Sequence, residues 1–279
     1  MANGNEEDDE RSPLDDTLGM RVELRPGKHL GEVEESFSVE EADYPRFRRL
    51  TFFSVLGGLC PLIPVPFLDE WARDRVHRRM VLELGESRDL GLTENEARIL
   101  AGIGERRPWP GVFKGGALLV RKSARKIVRK LSKAAFYVLL LREGVEQAVE
   151  TFLQGYLILY AARRAQGLRP AGRTEDRVRA VRAAIMATVE EADVRPVRQA
   201  ITRAFQGSFD LLARAATLLG NQLSRLRSGG PAEKPNERLA LEEEEDLLGG
   251  IVDRLSATLW GNQEYFERLE KSFEQKLSR

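Results

Sequence analysis

The chain has 279 residues, 42% hydrophobic and only 7% aromatic, with 44 Lys or Arg against 44 Asp or Glu. That length allows one sizeable core or two small ones plus tails, and it does not suggest a single large enzyme domain. The lone cysteine, Cys60, excludes an intrachain disulfide and fits a reducing compartment, and neither His29 nor His77 stands in a metal or triad spacing.

Charge balance conceals segregation. Residues 1–43 hold fourteen acidic and four basic side chains and few aromatics, which predicts a disordered acidic tail that folds only on a partner. The tail lacks the apolar core of a secretory signal, so the expected location is cytoplasmic. The YPRFRR cluster at 44–49 then opens the ordered part, an order common at membrane boundaries and at ordinary helix starts.

The longest uncharged run follows, LTFFSVLGGLCPLIPVPFL at 50–68. It just reaches the roughly 20 residues that span a bilayer, but Gly57, Gly58, Pro61, Pro64 and Pro66 argue against one straight spanning helix. Two readings stand side by side. One is a buried helix and loop of a soluble core. The other is an interfacial or re-entrant membrane segment, with Phe52, Phe53, Leu56, Leu59, Leu62, Ile63 and Phe67 as the inserting side chains.

Residues 66–84 read as a helix with Asp69 and Glu70 in the first turn, where they favour the helix dipole, and Gly85 as a stop. His77, flanked by Arg78 and Arg79, reads as a surface bystander. Thr93 and Glu96 have the spacing of a capping box that starts a short helix to about Gly102. Pro108-Trp109-Pro110-Gly111 then breaks the chain.

Residues 106–142 carry eleven Lys or Arg and no Asp or Glu. Arg121, Lys122, Arg125, Lys126, Arg129, Lys130 and Lys133 recur at helical spacing and fall on one half of a helix expected over 116–141. Val120, Ala124, Ile127, Val128, Leu131 and Ala135 fall on the other half, giving a basic amphipathic helix.

A second apolar helix is expected over 143–164, with Gly144 as a candidate bend, followed by a turn at 167–172 and a helix over 173–191 capped by Thr174. Pro196 opens a long amphipathic segment to 227, whose buried side is marked by Ile201, Phe205, Phe209, Leu212, Ala216 and Leu219. Residues 228–238 read as a linker, and the acidic run at 242–246 as a solvated face rather than a metal site. From Ile251 the apolar residues recur at near-heptad steps, which predicts a helix seeking a partner, a second copy of the chain included. With no period-two strands and no repeated unit, the fold class is all-α: a helical bundle over 44–165 and 173–227, with the acidic tail before it and a C-terminal amphipathic helix over 239–279.

The run GLCPLIPVPFLD at 58–69, the charged helix after it, the Gly-Leu-Thr turn at 91–93 and the Lys/Arg-rich helix leading into apolar helices resemble the YcjF-like helical proteins over residues 52–162. The resemblance implies a bacterial, membrane-associated accessory protein without enzymatic activity of its own, with a GTPase or another protein as companion. The chain departs from that pattern at Glu143, Glu146 and Glu150, where the family is more purely apolar. An ionised Glu near mid-bilayer costs on the order of 3 kcal/mol, which counts against full spanning.

No catalytic motif was found: GxxxxGK[ST] is absent around Lys114, Gly115 and Gly116, and no cofactor or metal is expected. Seven cations on one face are costly to bury unpaired, so they call for an anionic partner. Near an anionic bilayer each is worth up to about 1 kcal/mol. The leading expectation is a non-enzymatic scaffold or recruitment protein, peripheral on the inner membrane, that binds anionic lipid through the basic helix. The alternative is a soluble helical interaction module whose basic face binds an acidic protein or, non-specifically, nucleic acid; the absence of Asn, Gln or aromatic residues on that face disfavours nucleic acid.

Overall fold

The computed structural model describes residues 43–63, 68–104, 133–164, 168, 174–228 and 241–278. Within them the chain is all-α, with no strand. The acidic tail, the linker and most of the basic helix fall outside the described residues.

Helix α1 (Tyr44–Leu59) starts with proline in its first turn, where the missing N–H costs nothing, and runs through Gly57 and Gly58 without a break. A 3-10 turn (Cys60–Leu62) follows, and Ile63 turns extended, as a residue preceding a proline must. Helix α2 (Asp69–Glu86) carries Asp69 and Glu70 in its first turn. Helix α3 (Glu94–Ala101) has the full Thr93–Glu96 capping box and ends on left-handed Gly102 (φ 69°). There Gly102 N–H bonds the Ile99 carbonyl and Ile103 N–H the Arg98 carbonyl, a Schellman closure.

Helix α4 (Lys133–Arg164) is 32 residues long, and Gly144 lies inside it rather than at a boundary. Helix α5 (Glu175–Glu191) is capped by the Thr174 hydroxyl. The segment expected as one amphipathic helix to 227 is two, α6 (Arg195–Gln206) and α7 (Phe209–Ser228), parted at Gly207 and Ser208. The heptad-like tail is likewise two helices, α8 (Glu242–Trp260) and α9 (Gln263–Leu277), parted at Gly261 and Asn262.

Helix α4 forms the axis, with α1, α2, α5, α6 and α9 packed around it. Helix α1 runs antiparallel to it: Gly58 lies against Gly144, Gly57 against Thr151 and Leu50 against Gly155. The pair is close enough that a Cβ on Gly144 would stand 2.6 Å from the Gly58 carbonyl oxygen. The paired glycines expected to break a helix instead admit a neighbouring one. Ser54 donates to the Ala148 carbonyl across the same seam at 2.8 Å.

The apolar face of the tail is covered within the chain. Ile251, Leu255, Leu259, Phe266, Leu269 and Phe273 are buried, with α8 against α1, α6 and α7 and α9 against α5 and α4. The acidic run is a solvated face only in part: Glu242, Glu243 and Asp246 are exposed, whereas Glu244 is fully buried and Glu245 accepts from Arg49 at 2.5 Å, while Arg49 grips Glu83 with two N–H groups.

Candidate functional site

Of the cations expected to bind an anion, Arg121, Lys122, Arg125, Lys126, Arg129 and Lys130 fall outside the described residues, and Lys133 is the first residue of α4. The described residues stop at Gly104 and resume at Lys133, the two anchors of the basic segment. Gly104 follows the end of α3, whose Ala101 backbone contacts His77, and His77 in turn contacts Thr151 of α4. Thr151 lies eighteen residues beyond Lys133, about 27 Å along α4.

Helix α1 ends opposite Gly144, and α4 begins eleven residues before that point. About 16 Å of α4 therefore overhangs the end of its main partner. Leu139 on this overhang is 40% exposed, the largest exposure of any bulky apolar side chain among the described residues.

The apolar stretch before it points inward. Phe52, Phe53, Leu56 and Leu59 are fully buried, Ile63 is buried, and Leu62 is partly buried against the same core; Phe67 falls outside the described residues. Of the two readings of this stretch, the fold matches the buried helix and turn. The surface assigned to lipid is occupied by α4 and its neighbours. Among the described residues no helix is long and apolar enough to cross a membrane.

Between the anchors lies a polar seam that spacing alone did not reveal. His77, expected on the surface, is buried, with Nε2 2.9 Å from the Thr151 hydroxyl, which donates in turn to the Gln147 carbonyl at 2.8 Å. Burial and the nearby Arg73 and Arg182 guanidiniums push its pKa down to about 3, so the ring is neutral. Buried Arg182 donates to Gln154 at 3.0 Å, and Gln154 donates to Glu150 at 2.9 Å. Burial raises the Glu150 carboxyl, against the opposing pull of Arg73 and Arg182. The guanidinium of Arg182 fills the space where a Cβ on Gly102 would stand, tying the α3 terminus to α5.

None of this reads as reaction machinery. Burial pushes the Cys60 thiol up to about 12, far from a thiolate at neutral pH. Among the described residues no three His, Cys, Asp or Glu side chains are grouped to hold a metal ion. The seam joins α2 and α5 to α4 and holds the end of α3 through His77 and Arg182.

At the opposite end of α1 a second cluster gathers residues from four helices and one turn. Asp43 accepts from Arg46 at 3.1 Å and from Arg88, and lies 3.9 Å from Arg163. Arg163 donates to Glu270 at 3.3 Å, and Glu270 accepts the Tyr156 hydroxyl at 2.6 Å. A small cavity of about 20 Å³ adjoins them, walled by Phe47, Tyr156, Tyr160 and Trp260. Sequence spacing could not find this cluster, because its members are far apart in the chain. Compared with known proteins, the chain matches no family model, no curated protein and no solved structure.

Proposed function

We propose that the protein is a non-enzymatic docking module: a rigid helical bundle that presents the basic segment 106–133 to an anionic lipid surface. The observation that carries this reading is the charge of residues 106–142, eleven cations without one carboxylate. Such a segment has no internal neutralisation by i,i+4 pairing, so its charge is met from elsewhere. Each cation near an anionic bilayer contributes up to about 1 kcal/mol, and seven together suffice for reversible attachment.

The bundle supports the reading by its geometry. Both ends of 105–132 are tied to it, one at the Schellman closure of α3 and the other at the overhanging start of α4. Exposed Leu139 stands six residues after Lys133 and supplies an apolar contact beside the cations. The buried run at 50–63 takes no part in lipid contact, so attachment is peripheral.

Co-sedimentation with vesicles tests this. Wild type is expected to pellet with phosphatidylglycerol vesicles and not with phosphatidylcholine vesicles, and to be released by high salt. A variant with Arg121, Lys122, Arg125, Lys126, Arg129, Lys130 and Lys133 all replaced by Ser should remain in the supernatant. Equal pelleting of the two proteins removes the proposal. If wild type does not pellet at all, the basic face is left to an acidic protein partner.

A further inference from the structure

We propose that Glu244 takes up a proton in the folded protein and closes a hydrogen-bonded ring with the Gln222 side-chain amide, a latch between the start of α8 and α7 that opens as pH rises. The latch rests on these two helices alone, whatever the basic segment binds.

Glu244 sits in the first turn of α8 and is fully buried, although Glu242 and Glu243 beside it are exposed. From α7, Gln222 donates its Nε2–H to Glu244 Oε2 at 3.3 Å. The second oxygen of each group, Glu244 Oε1 and Gln222 Oε1, is buried without a hydrogen-bond partner. A buried acceptor without a donor is costly, and two on one joined pair of groups call for a cause. An ionised carboxylate and an amide carbonyl only accept, so no rotation of either group pairs the two bare oxygens. A proton on Glu244 does. The carboxyl O–H then donates to the amide carbonyl while the amide N–H donates to the carboxyl C=O, and each group gives one bond and receives one.

The surrounding charges favour that proton. Burial holds the Glu244 carboxyl above its ordinary range, with Glu243 and Glu242 adding repulsion, against the pull of its own backbone N–H and of the Gln222 amide. Among the described residues no cation pairs with Glu244. On α1, Arg48 is held by Asp253, and Arg49 by Glu83 and Glu245. On α6, Arg195 is held by Asp193 and Arg198 by Glu146, while Arg203 is exposed. On α7, Arg214 lines an open groove with Glu243 and Asp246, while Asp210 and Arg225 are exposed. A carboxyl raised in the folded chain and ordinary in the unfolded one stabilises most at low pH, and its contribution drains as pH climbs through its folded midpoint. With the ring open, the first turn of α8 is left to the buried Leu241 and Leu248, which share its inner face with Glu244.

The test follows the glutamate carboxyl carbons and the Gln222 side-chain amide by NMR in full-length protein as pH is raised. The carbon signal missing from Glu244→Gln is expected to titrate above those of the exposed glutamates and to share its midpoint with the Gln222 amide. A Glu244 signal that titrates with the exposed glutamates, or a Gln222 amide that does not follow it, overturns the proposal. Denaturant titrations give a second readout, because Glu244→Gln keeps the ring at every pH through its own amide. Relative to that variant, the unfolding constant of wild type should rise by up to about tenfold per pH unit above the ordinary carboxyl range, until the Glu244 midpoint is passed. A ratio that stays fixed across pH also overturns the proposal. If Glu244→Gln fails to fold, Glu244→Met supplies the assignment and the wild-type NMR titration decides.

Discussion

The two sides of α4 are held by opposite means. Toward α1 the contact is made by what is missing: Gly58 and Gly144 bring backbone against backbone, and Phe205 of α6 closes over the seam. Toward α2, α3 and α5 the contact is polar, with His77 paired to Thr151 and Arg182 to Gln154. The first side is intolerant of volume and indifferent to pH. The second tolerates small changes in volume but depends on protonation and on every partner being present.

Acid should expose the contrast most strongly. A histidine held at about 3 in the folded chain and near 6.5 in the unfolded one contributes fully above about pH 6.5, and its contribution drains as pH falls toward 3. By pH 4 this amounts to about 3 kcal/mol of lost stability. Glu150 runs the other way, because its raised carboxyl makes burial less costly as it protonates. In urea titrations at pH 7 and pH 4, His77→Gln should lose about 3 kcal/mol less than wild type between the two. Equal losses would mean that the polar side does not depend on a neutral imidazole.

The dry side should answer to volume alone. Gly144→Ala pushes a methyl against the Gly58 carbonyl at 2.6 Å, where backbone rather than a flexible side chain must yield. A loss near the top of the roughly 1–3 kcal/mol range for overpacking is expected, unchanged between pH 4 and 7. Arg182→Met keeps the volume but strands Gln154 and removes one of two cations beside Glu150. About 2 kcal/mol should be lost at pH 7, and less at pH 4, where Glu150 takes up a proton more readily. Ser54→Ala removes a hydroxyl that reinforces the dry side without being required by it, so about 1 kcal/mol or less is expected.

How legible this was in the sequence depended on how local each cause is. Thr93 with Glu96, Thr174, Pro45 and Pro196 announced helix starts because a cap is satisfied within one turn. Of the stripe read as buried, Ile201, Phe205, Leu212, Ala216 and Leu219 are buried and Phe209 is half-buried, and Gly207 and Ser208 divide it between two helices. His77 was read from its neighbours Arg78 and Arg79, which point elsewhere on a helix. Its own stripe, Val76, Met80, Val81 and Leu84, is apolar and buried, and that was the usable signal. Glu244 was hidden in the same way by its acidic neighbours, while Leu241, Leu248, Ile251 and Leu255 placed it on the inner face. Gly57 and Gly58 carry no signal separating a break from a close approach, since that depends on Gly144, more than eighty residues away.

The pinned end of α3 and the overhang of α4 also make the connecting stretch surgically separable. Its two anchors, Gly104 and Lys133, belong to one compact body. A chain lacking residues 105–132 would shed nine of the eleven cations of residues 106–142. The carrier and the cargo-gripping strap would then be two separately exchangeable parts.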